Sequence, residues 1–292
     1  MNIRYKLILF LFLTLLIEPG FGIGTQFLSL PIHARELAMG AHSISGSHVS
    51  NPAELSVAEK RPVLHAAYGQ WFSDVTQTTV GYYTRSFGGN LGVLVRYAGL
   101  NTIELRTSTP TDEPLAMFGT YGAAFDLSYS KKVRGLKYGI TLRHLQMQMH
   151  TDHSKGWAMD AGVLYHPWEK LSFGVSVLNF GTMSVLNRET PNLPLRILAG
   201  ADALFTGEKW SNNVTATMEY SQNVSGLITR IGNELRYKSI SLQLGTQLSR
   251  EVTTVSGGVN IHVGIYSIGY GYRMGSQGMG SPYMLDVSAQ LP

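Results

Sequence analysis

From Pro62 to Leu291 apolar side chains recur at nearly every second position, and this period constrains the chain more than any other feature. Successive side chains of a strand point to opposite faces, so the pattern describes a β-wall that is apolar on one side and polar on the other. Ile240, Leu242, Leu244 and Leu248 alternate with Ser241, Gln243, Gly245 and Gln247. Trp157, Met159, Ala161, Val163 and Tyr165 alternate with Ala158, Asp160, Gly162 and Leu164. Near the end, Tyr266, Ile268, Tyr270 and Tyr272 oppose Ser267, Gly269, Gly271 and Arg273, and Tyr283, Leu285, Val287 and Ala289 oppose Met284, Asp286, Ser288 and Gln290.

Turn residues cut the run into segments. Gly88-Gly89-Asn90, Lys131 to Gly135, His166-Pro167, Asn187 to Pro194, Gln222 to Ser225 and Gly275 to Ser281 are the plainest breaks. The spacing predicts strands over 62–72, 75–87, 90–104, 116–131, 136–150, 155–166, 170–181, 194–206, 211–222, 226–237, 239–249, 252–263, 264–274 and 281–291. That is about fourteen, an even number, as single-chain bacterial barrels require. Many segments exceed the ~5–6 residues usual in soluble sheets.

Composition separates a soluble sandwich from a membrane barrel. Charged residues make up 14% of the 292, against roughly 25% in soluble domains. A sandwich of this length would expose more Lys and Glu. The expectation is an all-β fold, a transmembrane antiparallel β-barrel of about 14 strands, with lipid on its outside and water within. Outer-membrane lipid is then its first partner, and the bacterial outer membrane its location. A formal net charge of +4 is too slight to point to nucleic acid. The absence of Cys excludes thiol nucleophiles, thiolate metal sites and disulfides.

Two segments fall outside the wall. Residues 1–22 read as a signal peptide: Arg4 and Lys6 precede an apolar run from Leu7 to Ile17, which Glu18-Pro19-Gly20 ends. The run is too short to span a bilayer as a helix. Residues 23–60 lack the two-residue period and are expected to form a plug, or hatch, within a barrel built from 61–292. Gly40 and Gly46 permit tight turns, and Asn51-Pro52 favours turn initiation.

The hatch also carries a family resemblance. Phe27-Leu28, the run Ala34-Arg35-Glu36-Leu37-Ala38-Met39-Gly40, and Asn51-Pro52-Ala53-Glu54-Leu55 together resemble the opening of the PorV/PorQ family, within the FadL-like outer-membrane barrels. Trp71-Phe72-Ser73-Asp74 is similar to the end of that family's first strand. The resemblance implies a fourteen-stranded barrel whose hatch motif comprises Arg35, Glu36, Met39, Gly40, Asn51, Pro52 and Ala53. It implies a part in type IX secretion and surface attachment, with secreted cargo bearing a C-terminal sorting domain, or other secretion-system subunits, as partners. The FadL branch implies an alternative, a channel for hydrophobic small molecules. One departure is local: Gly46-Ser47-His48-Val49-Ser50 stands where family members often carry a longer acidic stretch.

Strand parity assigns Arg96, Asp126, Arg143, Asp160, Asp202, Arg230, Glu234 and Arg236 to the lumen, where they either fix the hatch by ion pairs or line a wet interior. Arg35 is expected to reach one of their carboxylates. No catalytic set, cofactor or metal site is predicted. His144, His150, Asp152 and His153 lie close together in sequence, but His150, Asp152 and His153 fall on a polar turn, where solvated residues are common. Gly269-x-Gly271 lies in an alternating strand with no helix after it, which excludes a dinucleotide loop. A barrel hydrolase would draw on residues such as Ser45 and His48, but no spacing singles them out.

Overall fold

The computed structural model describes residues 24–41, 44, 46–56, 61–72, 75–105, 112–275 and 280–291. Fourteen strands follow one another: β1 (Val63–Gln70), β2 (Thr76–Ser86), β3 (Gly89–Leu105), β4 (Ala116–Val133), β5 (Leu136–Met149), β6 (Asp152–Trp168) and β7 (Leu171–Met183) in the first half. The second half holds β8 (Arg196–Thr206), β9 (Trp210–Ser221), β10 (Leu227–Tyr237), β11 (Ile240–Leu248), β12 (Thr253–Val263), β13 (Tyr266–Gly275) and β14 (Tyr283–Gln290). Each pairs antiparallel with its sequence neighbours, and β1 pairs with β14 from Val63↔Gln290 to Gln70↔Tyr283. The sheet therefore closes and leaves no free edge, as a wall in lipid must. Among the described residues no helix is long and apolar enough to cross a membrane.

The two-residue period sorts side chains as expected. Leu244 is 66% exposed on the outer face and its neighbour Gln243 is 2% exposed on the inner one. Phe125, Tyr270 and Leu285 are likewise exposed, while Asp126 and Asp286 are buried. So many large apolar side chains turned outward would be an aggregation surface in water and a fitting one in lipid. Tyr138, Tyr165, Trp168, Phe205, Trp210, Tyr237 and Tyr266 gather near one rim of the barrel, the place where interfacial aromatics belong.

Connections at that rim are two or three residues long, whereas those at the other rim reach twelve. Short turns face the periplasm and long loops the exterior in barrels of this kind. Phe87 and Gly88 both take positive φ, as do Arg134 and Gly135. These are the two-residue turns whose twist matches that of the flanking strands.

Inside, the described residues between Gly24 and Leu55 lie against the inward faces of the strands. A 3-10 turn (Thr25–Ser29), a short helix α1 (Ala34–Ala38) and a second 3-10 turn (Pro52–Glu54) are joined by irregular backbone. Ile32, Ala34, Leu37, Ala38, Ile44 and Ala53 are fully buried. Irregular backbone can be buried only if its polar groups find partners, and here the wall provides them. Gln77 donates to Pro31 O (2.8 Å), Ser176 to Ser50 O (2.6 Å), and Asn90 to Leu55 O (3.0 Å). Ser256 Oγ donates to Ala38 O and accepts from Gly40 N.

Candidate functional site

The motif residues of the segment seat on glycines of the wall. Met39 and Gly40 lie on Gly232 and Gly245, and Asn51, Pro52 and Ala53 on Gly139 and Gly162. A Cβ at Gly232 would stand 2.6 Å from Met39 O, so the segment approaches the wall more closely than side chains permit. Gly40 itself has φ +83°, and a Cβ there would come within 2.7 Å of Thr246 O. Only glycine meets both demands. Asn51 Oδ1 accepts from Ala53 N (3.0 Å) to cap the second 3-10 turn, and its amide donates to Val163 O (3.2 Å).

Charged groups fill the space between segment and wall. Arg143 is the centre of the largest network. Its guanidinium donates to Asp126 at 2.7 and 3.0 Å, to Asp160 at 2.7 and 3.3 Å, and to Asn179 Oδ1. Arg96 donates to Asp126 (3.0 Å). Two arginines and two aspartates thus balance in charge, with bidentate geometry that favours burial. A second network joins Arg196 to Glu219 (2.6 and 2.8 Å), with Arg230 on the same carboxylate. Arg35 of the segment meets Glu234 of β10 at 2.8 Å, and Gln243 donates to the other oxygen of that carboxylate. Glu36 folds back on its own segment, accepting from Ile32 N (3.0 Å) and Ser50 Oγ (2.8 Å).

Strand parity puts Asp202 on the same side but near the short-turn rim, beside Arg35 and Glu54 in a polar cavity of ≈370 Å³. Arg236 continues that parity past the segment and is exposed, donating to Lys238 O. It belongs to the wet rim and joins no network in the interior. Parity by itself could not find Asn179. There two residues of β7, Leu178 and Asn179, oppose Asp160, and both are buried. This bulge, with φ +62° at Asn179, turns an extra polar side chain inward, which an unbroken alternation forbids. Arg196, Glu219 and His65 are also buried within. Their signal was the polar residue at an inward position.

His48 is buried with its ring 4.8 Å from that of Tyr83. Burial above all, and His33 beside it, hold its imidazole down to a pKa of about 3, so it stays neutral at physiological pH. Burial likewise raises the Glu54 carboxyl. For Arg35 burial acts against the charge, but Glu234 outweighs it and the guanidinium is held more firmly charged. Ser45 and residues 1–22 lie outside the described residues. His144 packs on Trp157 and His150 on Phe118, each ring with an aromatic neighbour on the wall.

One cavity differs from this polar interior. Phe27, Leu30, Trp71, Val75, Ala98, Gly99, Leu100, Tyr121 and Gly122 are among the residues that line a half-open cleft of ≈240 Å³ toward the long-loop end. The β3–β4 ladder shifts register just beside it, between Leu100 and Ile103.

Comparison with solved structures follows the same line. The Pseudomonas putida toluene transporter TodX superposes with a TM-score of 0.62 at 12% identity, covering 89% of this chain and 97% of that one. The CymD monoaromatic hydrocarbon channel gives 0.57 at 13%, covering 93% of each chain. The Acinetobacter baumannii outer membrane protein Omp33 gives 0.50 at 9%, covering 80% and 98%. The chain shares the closed β-barrel fold of these outer-membrane proteins. No protein-family model matches it, and no curated protein does. The PorV/PorQ resemblance therefore stands on the quoted motif residues alone, and these comparisons carry nothing of secretion.

Proposed function

We propose that this barrel is a channel for small hydrophobic molecules, in the manner of the FadL-like branch, with residues 24–55 as its hatch. The observation that carries the reading is the apolar cavity between Phe27, Leu30, Trp71, Leu100 and Tyr121. An apolar cavity of ~150 Å³ is enough to hold benzene, and this one measures ≈240 Å³. Elsewhere the interior holds the hatch, charged networks and a polar cavity beside Arg35, Glu54 and Asp202, whose polar lining an apolar guest would leave unsatisfied. The cavity is lined by the hatch on one side and the wall on the other, beside the shifted ladder of β3 and β4. Movement of Phe27 or Leu30 would widen it. The toluene transporter TodX and the monoaromatic hydrocarbon channel CymD share the fold, which favours this reading over protein export. No step calls for a catalytic group or cofactor.

The test is uptake of labelled toluene by bacterial cells carrying the chain in their outer membrane. Uptake is expected to exceed that of cells without the chain several-fold. Ala98→Trp, which fills the cavity from the wall, is expected to return it to background while the barrel remains folded. Equal uptake with and without the chain would refute the reading.

A further inference from the structure

The segment and the closing seam of the barrel share a group of side chains that the channel reading does not use. His33 precedes α1, His65 lies on β1, and Asp286 lies on β14, the two strands whose pairing shuts the sheet. Asp286 Oδ2 is 3.7 Å from His33 Nδ1 and 3.9 Å from His65 Nε2, and one ligand atom from each of the three residues lies within 4.8 Å of the others. The two imidazole rings are 4.1 Å apart between centroids. His65 is 2% exposed, yet neither of its ring nitrogens has a hydrogen-bond partner. Buried polar atoms are usually paired, so two open nitrogens on one imidazole, one of them facing a carboxylate, offer donor atoms to a ligand. His48, next to His33, also has a buried Nε2 without a partner.

We propose that His33, His65 and Asp286 bind one divalent transition-metal ion of the zinc class, and that this ion latches the segment to the barrel seam. Two imidazole nitrogens and one carboxylate oxygen suit Zn²⁺, Co²⁺ or Ni²⁺ and not Mg²⁺ or Ca²⁺, which take oxygen. Bonds of about 2.0–2.1 Å to a tetrahedral ion set its ligands about 3.4 Å apart. The observed 3.7 and 3.9 Å are close to that edge and the edge between the two histidines lies within 4.8 Å, so side-chain shifts of up to about an ångström complete the site. Asp286 Oδ2 already accepts from Ala34 N (2.8 Å), which fixes the carboxylate and brings the start of α1 to it. One ligand comes from the segment and two from the wall, so binding stabilises the seated segment over the released one. The site stands independently of what the channel carries.

The experiment uses the full chain folded in detergent, stripped with EDTA and titrated with Co²⁺ and then Zn²⁺. One Co²⁺ per chain is expected, with visible d–d bands that Zn²⁺ abolishes. Affinity is expected to fall at least about 100-fold in His33→Ala and His65→Ala, and to be unchanged in His153→Ala at the exposed start of β6. His65→Gln replaces the wall variant should His65→Ala fail to fold. Zn²⁺ is expected to slow tryptic cleavage after Arg35 at least about tenfold in the parent and not in the His65 variant. Absence of stoichiometric binding, or binding that survives loss of either histidine, overturns the site. Stoichiometric binding without protection of Arg35 overturns the latch.

Discussion

Replacing Arg143 with Met tests whether the barrel interior is a dry, charge-matched solid or a wet lining. Arg143 is 1% exposed and donates twice to each of Asp126 and Asp160. Methionine retains much of the apolar stem, so the change removes charge and hydrogen bonds with little loss of packing. Breaking a buried pair from one side costs ~3–5 kcal/mol, because it strands the other charge. Here the carboxylates are not wholly abandoned: Asp126 keeps Arg96 at 3.0 Å, and Asp160 keeps Asn179 N at 2.6 Å. The loss is therefore expected at the lower end, about 3 kcal/mol. Adding Asp160→Asn leaves one arginine facing one aspartate and is expected to recover about 2 kcal/mol of it. Urea unfolding in lipid vesicles, followed by the gel mobility difference between folded and unfolded barrel, reads both values. A loss below about 1 kcal/mol, the scale of a solvated pair, would refute the dry-network argument. So would a double variant no more stable than the single.

Two further expectations follow from the seating of the segment and its histidine. Gly139→Leu places a side chain where Pro52 and Ala53 now lie, so the barrel should still close while protease reaches the displaced segment. Gly257→Ala, whose Cβ would meet its nearest neighbours at an ordinary 3.5 Å, should leave protection unchanged, and equal sensitivity of the two variants would refute the seating. His48 should show no titration by NMR from about pH 8 to about pH 5, because its folded pKa is depressed from 6.5 to about 3 by burial and by His33. The unfolded imidazole takes up a proton first, so the stability contributed by neutral His48 is present above about pH 6.5 and is lost as pH falls toward 3. A midpoint near pH 6 would refute its burial.

The strand plan was legible because a bilayer wall repeats one local rule. Predicted and observed strands differ by only a few residues at their ends, as with 136–150 against Leu136–Met149 and 226–237 against Leu227–Tyr237. The bulge at Asn179 marks where the rule fails, since alternation carries no notice of an inserted residue. Arg35 could be expected to meet a lumen carboxylate, but its choice of Glu234, 199 positions away, depends on how the closed sheet brings β10 beside α1. The same holds for His33, His65 and Asp286, which are scattered over the chain and meet only once β1 and β14 pair. Nor did the motif disclose its reason: Met39, Gly40 and Pro52 are distinctive because each presses on a wall glycine that lies far away in sequence.

The residue sequence alone determined the wall: every-second-residue polarity fixes which face each side chain takes, and an even run of long strands can satisfy its backbone in lipid only by closing. Tertiary structure alone decided what fills the wall. Charge partners, glycine seats and the cavity beside Phe27 arise from distances across the barrel, and no local period encodes those.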